Sequence, residues 1–231
     1  MHERPMSVSR RSAVRSLFGI AAGLSTISVV GCSKLLLGSG KILFGDPKVQ
    51  AEFTRLTNED LSKGKKKVLV ICSTPESVEE NLSTLRTDLI SGITRRLRLN
   101  GVKTVNPGLV AEWLDEHDGL TVAEYSGRVW GLQELTKDFD TDYVAWIDVQ
   151  KFHLHEPNST KLLRGHTSGY IRVFKIEDQF GSPTPQKVYQ TEFSLTYPQL
   201  QPISEEGRSL VVFQRDYLSN LCDLLAERFY N

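Results

Sequence analysis

The sequence predicts an α/β (α+β) fold, in which helices flank a mixed sheet of about five strands. Three observations predict this class. The first half contains a strand, a long helix and a second strand, in the order of a βαβ unit. The second half contains three β-prone segments, in the order of an antiparallel meander. Near the C-terminus, apolar residues recur at helical spacing, which predicts a long final helix.

The βαβ unit begins with Val68–Cys72, a continuous apolar run that is typical of a strand covered on both faces. A helix over Leu82–Asn100 is predicted next. Its apolar residues recur at every third or fourth position, namely Leu82, Leu85, Leu89, Ile93 and Leu97. Gly101 follows as a helix stop signal. Val102–Val105 is the second predicted strand, parallel to the first because a helix connects them.

Two further helices and three strands are predicted after this unit. Proline suits the first turn of a helix, so one helix is predicted from Pro107 to about Asp115, and another from about Val122 to Lys137. The β-prone segments are Tyr143–Val149 continuing to about His155, Gly165–Ile176, and Val188–Tyr197.

Turn and cap residues divide the second half of the chain. Gly181, Pro183 and Pro185 predict a turn between the last two strands, and Ser204 is the predicted N-cap of the final helix. Apolar and polar residues alternate along Val188–Tyr197, so one face of the sheet is expected to meet solvent.

The N-terminus has the three parts of a signal peptide. A basic region with four arginines precedes Leu17–Gly31, an uncharged apolar run of 15 residues that is too short to span a bilayer. The run ends at Cys32 and resembles a bacterial lipobox, in which the cysteine is lipidated. The resemblance implies a signal peptide at residues 1–31 and a lipid anchor at Cys32. Glycines, a proline and a lysine run then indicate a tether at 32–66, and the apolar run after it indicates the start of a single α/β domain at 67–231.

Arg10 and Arg11 also resemble a twin-arginine export signal, although Ala13 stands where a large apolar residue is usual. The twin-arginine and Sec export routes both stay open. Ser33 follows the lipobox cysteine and resembles the residue that directs lipoproteins to the outer membrane, facing the periplasm. The partner implied by Cys32 is therefore a membrane.

The predicted tether contains two apolar triplets, Leu35–Leu37 and Ile42–Phe44. Two hypotheses fit them equally: they contact a membrane or partner, or they cover an edge of the domain. The tether ends in the lysine-rich stretch Lys63–Lys67, which is a solvated strand entry or a lipid-headgroup contact.

The charge balance excludes a nucleic-acid-binding role. The chain has 231 residues, with 28 basic and 28 acidic ones. Residues 1–31 contain four of the basic residues and one acidic residue, which leaves 24 and 27 and a formal net charge of −3. Proteins that bind nucleic acid usually carry a basic excess.

His153 and His155 are the candidate metal ligands. Residues two apart on a strand point to the same face, and His166 or Glu156 would supply a third ligand. The alternative is that both histidines are ordinary surface residues. No Gly-rich phosphate loop, nucleophilic serine motif or zinc signature is present in the sequence, so neither a cofactor nor a catalytic residue is predicted.

Three other residues are candidates for chemistry: Cys72, Cys222 and Asp148. Cys72 and Cys222 remain once Cys32 is lipidated, and they either pair in an oxidising compartment or stay as buried thiols, which is favoured. Asp148 lies in an apolar strand. It is a candidate acid or base, but a structural role, such as pairing with an arginine, is favoured.

The order of elements resembles two families of envelope proteins, the curli-secretion lipoproteins and the TolB N-terminal domain. The resemblance rests on the lipobox, Lys67–Ile71, the helix over Leu82–Asn100, Val102–Val105 and the step Thr141–Val144 into a long strand. It implies an envelope protein that works by contacts and not by catalysis. No functional residue of either family matches by motif.

The leading hypothesis is therefore a lipid-anchored binding or assembly component of the cell envelope, whose partners are other envelope proteins. One alternative is an exported metal-binding protein or enzyme that uses His153 and His155. Another is an auxiliary lipoprotein of an envelope transporter. The sequence leaves the oligomeric state open.

Overall fold

The computed structural model describes residues 50–230 except 64, 81, 118–122, 126–127 and 180–181. The predictions at Arg10, Arg11 and Cys32 lie outside the described residues. Six helices are described: α1 (Glu52–Thr57), α2 (Glu76–Glu79), α3 (Leu85–Leu99), α4 (Pro107–Glu116), α5 (Leu132–Asp138) and α6 (Leu210–Ala226). Within this part of the chain, no helix is long and apolar enough to cross a membrane.

The strands form one large sheet and one hairpin. The large sheet contains β1 (Lys67–Ser73), β2 (Lys103–Thr104), β5 (Tyr143–His155), β6 (Leu162–Gln179), β7 (Ser182–Tyr197) and β8 (Ile203–Ser204). The hairpin contains β3 (Ala123–Tyr125) and β4 (Arg128–Trp130).

The order of strands across the large sheet is β2-β1-β5-β6-β7, and β8 pairs with β6. Strand β1 runs parallel to β2 and β5, whereas β6 runs antiparallel to both of its neighbours, β5 and β7. The predicted fold class is confirmed: a βαβ unit is followed by a meander, in one mixed sheet.

One face of the sheet is covered by α1, α3 and α6. Tyr217 of α6 bonds Thr167 of β6 through its hydroxyl at 2.5 Å. Helix α3 packs on α6, where Arg96 bonds the carboxylate of Asp223 and donates to Ser219 Oγ at 2.8 Å. Arg96 is 8% exposed. The buried Arg96 side chain therefore joins α3 to α6 through a half-exposed carboxylate.

The packed domain extends further toward the N-terminus than the predicted boundary at residue 67. Phe53 of α1 is fully buried, with ring contacts to Tyr143, Tyr189 and Phe229 at 5.6–5.9 Å between centroids. Leu61 is also buried. Residues 51–63 therefore belong to the packed domain, to whose core they contribute Ala51, Phe53 and Leu61, and not to the tether predicted at 32–66.

The helix predicted over residues 122–137 is wrong in its first half. The segment that contains Ala123–Tyr125 and Arg128–Trp130 forms the hairpin β3–β4, and α5 begins only at Leu132. The aromatic and β-branched residues of this segment favour strands. Gly131 has φ 83°, a left-handed conformation that separates the hairpin from the helix.

Three smaller predictions also need correction. The helix predicted over Leu82–Asn100 begins at Leu85, after the separate short helix α2. The cap of α6 is Ser209, whose Oγ accepts from Val212 N, while Ser204 lies in β8. Pro183 and Pro185 lie inside β7 and not in a turn. An edge strand tolerates proline because the N–H that proline lacks can be one that faces outward.

Candidate functional site

A cleft of about 1100 Å³ opens where β5 ends and α6 begins. Its lining is mixed. The apolar part consists of Val78, Leu82, Phe152, Leu154, Pro157 and Leu210. The polar part consists of Ser77, His153, His155, Glu156, Arg164, His166 and Thr196. Concave surfaces that combine apolar and convergent polar groups are typical of binding sites.

The end of β5 shapes this cleft because its pairing with β6 is irregular. The register shifts between Val149 and Lys151 and again between His153 and His155. Such irregularities bend a strand and redirect its side chains. The chain then turns through Asn158, which has φ 66°, before β6 begins.

Neighbouring groups hold most of the polar side chains in the cleft. His155 Nε2 lies 2.9 Å from Glu205 Oε1. Arg164 donates to Glu156 Oε2 at 3.3 Å and to the backbone oxygen of Gln199 at 3.1 Å. These contacts fix the rim without any added ligand.

The candidate metal ligands lie close together, and two of them contact other side chains. His153 lies directly opposite His166 in the β5–β6 pair, so the sequence analysis correctly places these two residues near each other. His166 Nδ1, however, lies 3.0 Å from Thr196 Oγ1, and His155 faces Glu205. Across the described residues, no group of three or more His, Cys, Asp or Glu side chains is positioned to hold a metal ion.

The rim of the cleft continues into exposed apolar residues in the first turn of α6. Leu210 lines the cleft and is 36% exposed, Val211 is 77% exposed and Val212 is 36% exposed. Three consecutive apolar residues exposed beside a cleft are unusual for a helix end that meets only water. This exposed apolar surface was not predicted from the sequence.

Asp148 has a structural partner, as favoured in the sequence analysis. Its Oδ2 accepts from Arg172 Nη1 at 2.6 Å, and its Oδ1 accepts from Ser73 Oγ at 3.0 Å. Arg172 also lies over the rings of Trp146 and Tyr170, at 4.7 and 5.0 Å from the centroids. Asp148 and Arg172 side chains are each 14% exposed. A nearly buried pair with these partners is an electrostatic anchor within the sheet.

Cys72 and Cys222 are both free thiols and both buried. Burial raises the pKa of the Cys72 thiol far above its ordinary value, and burial also raises the pKa of Cys222, to about 11. The thiolate is the nucleophilic form, so neither residue is suited to nucleophilic chemistry. The favoured hypothesis of two buried thiols agrees with this placement.

Comparisons with known proteins give only distant similarities. No protein-family model and no curated protein matches the chain. The solved structures that match include hypothetical protein CT253 from Chlamydia trachomatis, with 14% identity over 72% of this chain and 98% of that one, at a TM-score of 0.39. Lipoprotein GNA1162 from Neisseria meningitidis matches with 13% identity over 68% and 99% of the two chains, at a TM-score of 0.37.

A third match is the PelC dodecamer from Paraburkholderia phytofirmans, with 12% identity over 75% of this chain and 93% of that one, at a TM-score of 0.37. Proteins described as lipoproteins are thus among the structural neighbours. At TM-scores below 0.5 these similarities establish neither a family nor a function. The resemblance to curli-secretion lipoproteins and to the TolB N-terminal domain stays a prediction.

Proposed function

We propose that this chain is a lipid-anchored protein of the bacterial cell envelope, held in the outer membrane and facing the periplasm. Its domain acts as a binding or assembly component and not as an enzyme. The sequence of residues 1–32 supports the anchor, because a basic region and a short apolar run end at Cys32. A single acyl chain holds weakly, so stable anchoring takes two or more.

The cleft, with its exposed apolar rim, is the observation that carries the binding role. Its polar groups are largely satisfied by neighbours, whereas Leu210, Val211 and Val212 are left open to solvent. An enzyme needs polar groups held ready for substrate. A contact surface needs apolar area with a polar margin, which is the arrangement here.

The position of the cleft also suits this role. The predicted tether joins the domain at α1, where Phe53 N donates to the backbone oxygen of Arg228 at 3.0 Å, just beyond the C-terminal end of α6. The cleft lies at the other end of α6. This helix has 17 residues and is therefore about 25 Å long. The contact surface thus lies at the end of α6 opposite to the end that contacts α1.

Site-specific photo-crosslinking in cells tests the contact surface. A photoreactive residue at Val211 should give a protein adduct of defined size, whereas the same residue at Leu56 should not. Leu56 is a matched control because it is 60% exposed but belongs to α1, at the other end of α6. Leu210→Asp should weaken the Val211 adduct. Equal adducts from both positions, or none from Val211, would contradict the proposal.

Lipid labelling tests the anchor separately. Cys32→Ala should abolish incorporation of labelled fatty acid and cause the uncleaved precursor to accumulate. Ser33→Ala is a suitable control that should leave labelling unchanged. Equal labelling of the Cys32→Ala chain and the unmodified chain would remove the basis for lipid anchoring.

A further inference from the structure

Strand β7 forms one edge of the large sheet along all of its 16 residues. Within the described part of the chain, no strand pairs with its outer side. An edge strand of this length presents a row of backbone N–H and C=O groups to any strand that approaches, and natural proteins usually protect such edges.

The two halves of β7 are protected differently. The first half, Ser182–Lys187, contains Pro183 and Pro185 and ends in a lysine, and both residue types discourage edge pairing. A register shift against β6 occurs at Val188. From Tyr189 to Tyr197 the register is unbroken, and this second half contains no proline, lysine or arginine.

We infer that the second half of β7 pairs antiparallel with the same segment of a second copy of this chain, about a two-fold axis at Phe193. The segment is self-complementary in this register. Three of the four pairs match in character: Tyr189 lies opposite Tyr197, Gln190 opposite Thr196 and Glu192 opposite Ser194, whereas Thr191 lies opposite Leu195. Side chains alternate between faces, so both members of each pair lie on the same face.

The chemistry of these pairs favours association. On the face that carries Gln190, Glu192, Ser194 and Thr196, polar side chains lie opposite polar side chains and can form hydrogen bonds across the two strands. No like charges stand directly opposite each other in this register. Moving the axis by one residue toward the N-terminus would place Glu192 opposite Glu192 of the second copy, and opposed like charges are destabilising. The pairing would join the two sheets into one continuous sheet.

This inference deepens the assembly role by naming a partner, but it does not depend on lipid anchoring, which the Cys32→Ala experiment tests independently. The test measures the mass of the detergent-extracted full chain over a range of concentrations, by sedimentation or light scattering. The unmodified chain should be a dimer that dissociates on dilution. A chain that stays monomeric throughout overturns the inference, including the case in which residues 33–49 of the same chain cover β7.

Ser194→Glu places a carboxylate opposite Glu192 of the second copy, twice in each dimer. We expect the dimer Kd to rise by about 2- to 30-fold. Ser182→Glu is the matched control, because it makes the same change at an exposed position in the protected half of the same strand. It should leave the Kd unchanged. Circular dichroism should show both variants folded. Equal Kd values for the two variants would overturn the inference.

Adding Glu192→Lys to Ser194→Glu makes the opposed charges complementary. The double variant should recover the Kd of the unmodified chain or bind more tightly. If Ser194→Glu weakens the dimer and the double variant does not restore the Kd, the register centred on Phe193 is overturned.

Discussion

The two edges of the large sheet differ in how they are protected. Strand β2 has only two residues, and Arg98 lies along it, donating to Thr104 Oγ1 at 2.6 Å and to the backbone oxygen of Val105 at 3.0 Å. Strand β7 has 16 residues, and its protection by proline and lysine ends at Lys187. The difference indicates the side on which the sheet can be extended, because a short edge with a charged side chain across it resists pairing.

The chain ends β2 early for a local reason. Asn106 caps α4, its Oδ1 accepting from Gly108 N at 3.0 Å, and Pro107 occupies the first helical position. These residues start a helix directly after the strand. In β7, by contrast, strand-favouring residues continue as far as Tyr197, and no helix signal interrupts them.

Gly169→Ala is expected to have the largest effect on stability. Gly169 lies in β6, directly opposite Phe193 of β7. A Cβ at this position would lie 2.1 Å from the backbone oxygen of Asp148 and 3.0 Å from Phe193 Cζ. A backbone atom cannot swing aside as a flexible side chain can, so β5 and β6 would have to separate. We expect the free energy of unfolding to fall by about 1–3 kcal/mol, measured by urea or thermal denaturation.

The matched control for this variant lies beside the other edge. A Cβ at Gly108 would lie 3.5 Å from Asn106 Oδ1, an ordinary contact in the first turn of α4. Gly108→Ala should therefore be neutral or stabilising by up to about 1 kcal/mol. Identical unfolding midpoints for the two variants would show that β6 can adjust to a side chain at Gly169.

Arg98→Ala should have a smaller effect and should make the two edges more alike. The variant loses the hydrogen bonds to Thr104 and Val105, and we expect stability to fall by about 1 kcal/mol. With β2 uncovered, self-association at high concentration should also increase. Arg95→Ala, at an exposed position of the same helix, is the control. If Arg95→Ala produces the same changes, the loss of a positive charge and not the uncovered edge is responsible.

The smallest of the expected effects is a loss of folding stability at alkaline pH that involves Tyr189 of β7. Burial raises the pKa of Tyr189 to about 12, above its ordinary value of 10. The unfolded chain releases this proton first, so the contribution to stability is complete below pH 10 and is lost as pH rises toward 12. Tyr189→Phe should reduce the alkaline loss by less than about 1 kcal/mol at about pH 10.5.

At neutral pH the same variant should show none of this pH-dependent difference, because the tyrosine is protonated in both states. The measurement is the free energy of unfolding across this pH range. Tyr143 and Tyr217 also have pKa values raised by burial, so part of the alkaline loss should persist in the variant. A pH profile that Tyr189→Phe leaves unchanged would mean that Tyr189 ionises alike in both states.

Much of the fold could be predicted because its signals are local. The apolar run at Val68–Cys72 and the alternation in the last three strands identify strands from neighbouring residues alone. The hairpin β3–β4 was missed because its short segments carry a weak periodic signal. The buried helix α1 was missed because a six-residue helix has almost no periodicity, and its place depends on the aromatic cluster around Phe53.

The candidate site was less predictable than the fold. His153, His155 and His166 are candidate ligands from their sequence pattern, and all three line one cleft in the structure. Their partners could not be predicted, because Glu205 and Thr196 are remote in sequence from the side chains they contact. The same holds for Arg172, which reaches Asp148 only because β5 and β6 are paired in register.

The sequence by itself determined five strands of the large sheet and most of the helices of this protein, and it carries the signals from which its export and anchoring are predicted. These properties depend on hydrophobic spacing and on residues adjacent in the chain. Only the tertiary structure decided which polar side chains find hydrogen-bond partners and which apolar side chains stay exposed, as at the start of α6. It also decided that the two edges of the sheet differ. Strand order and long-range packing set those features, because hydrogen bonds and burial join residues that are far apart in the sequence.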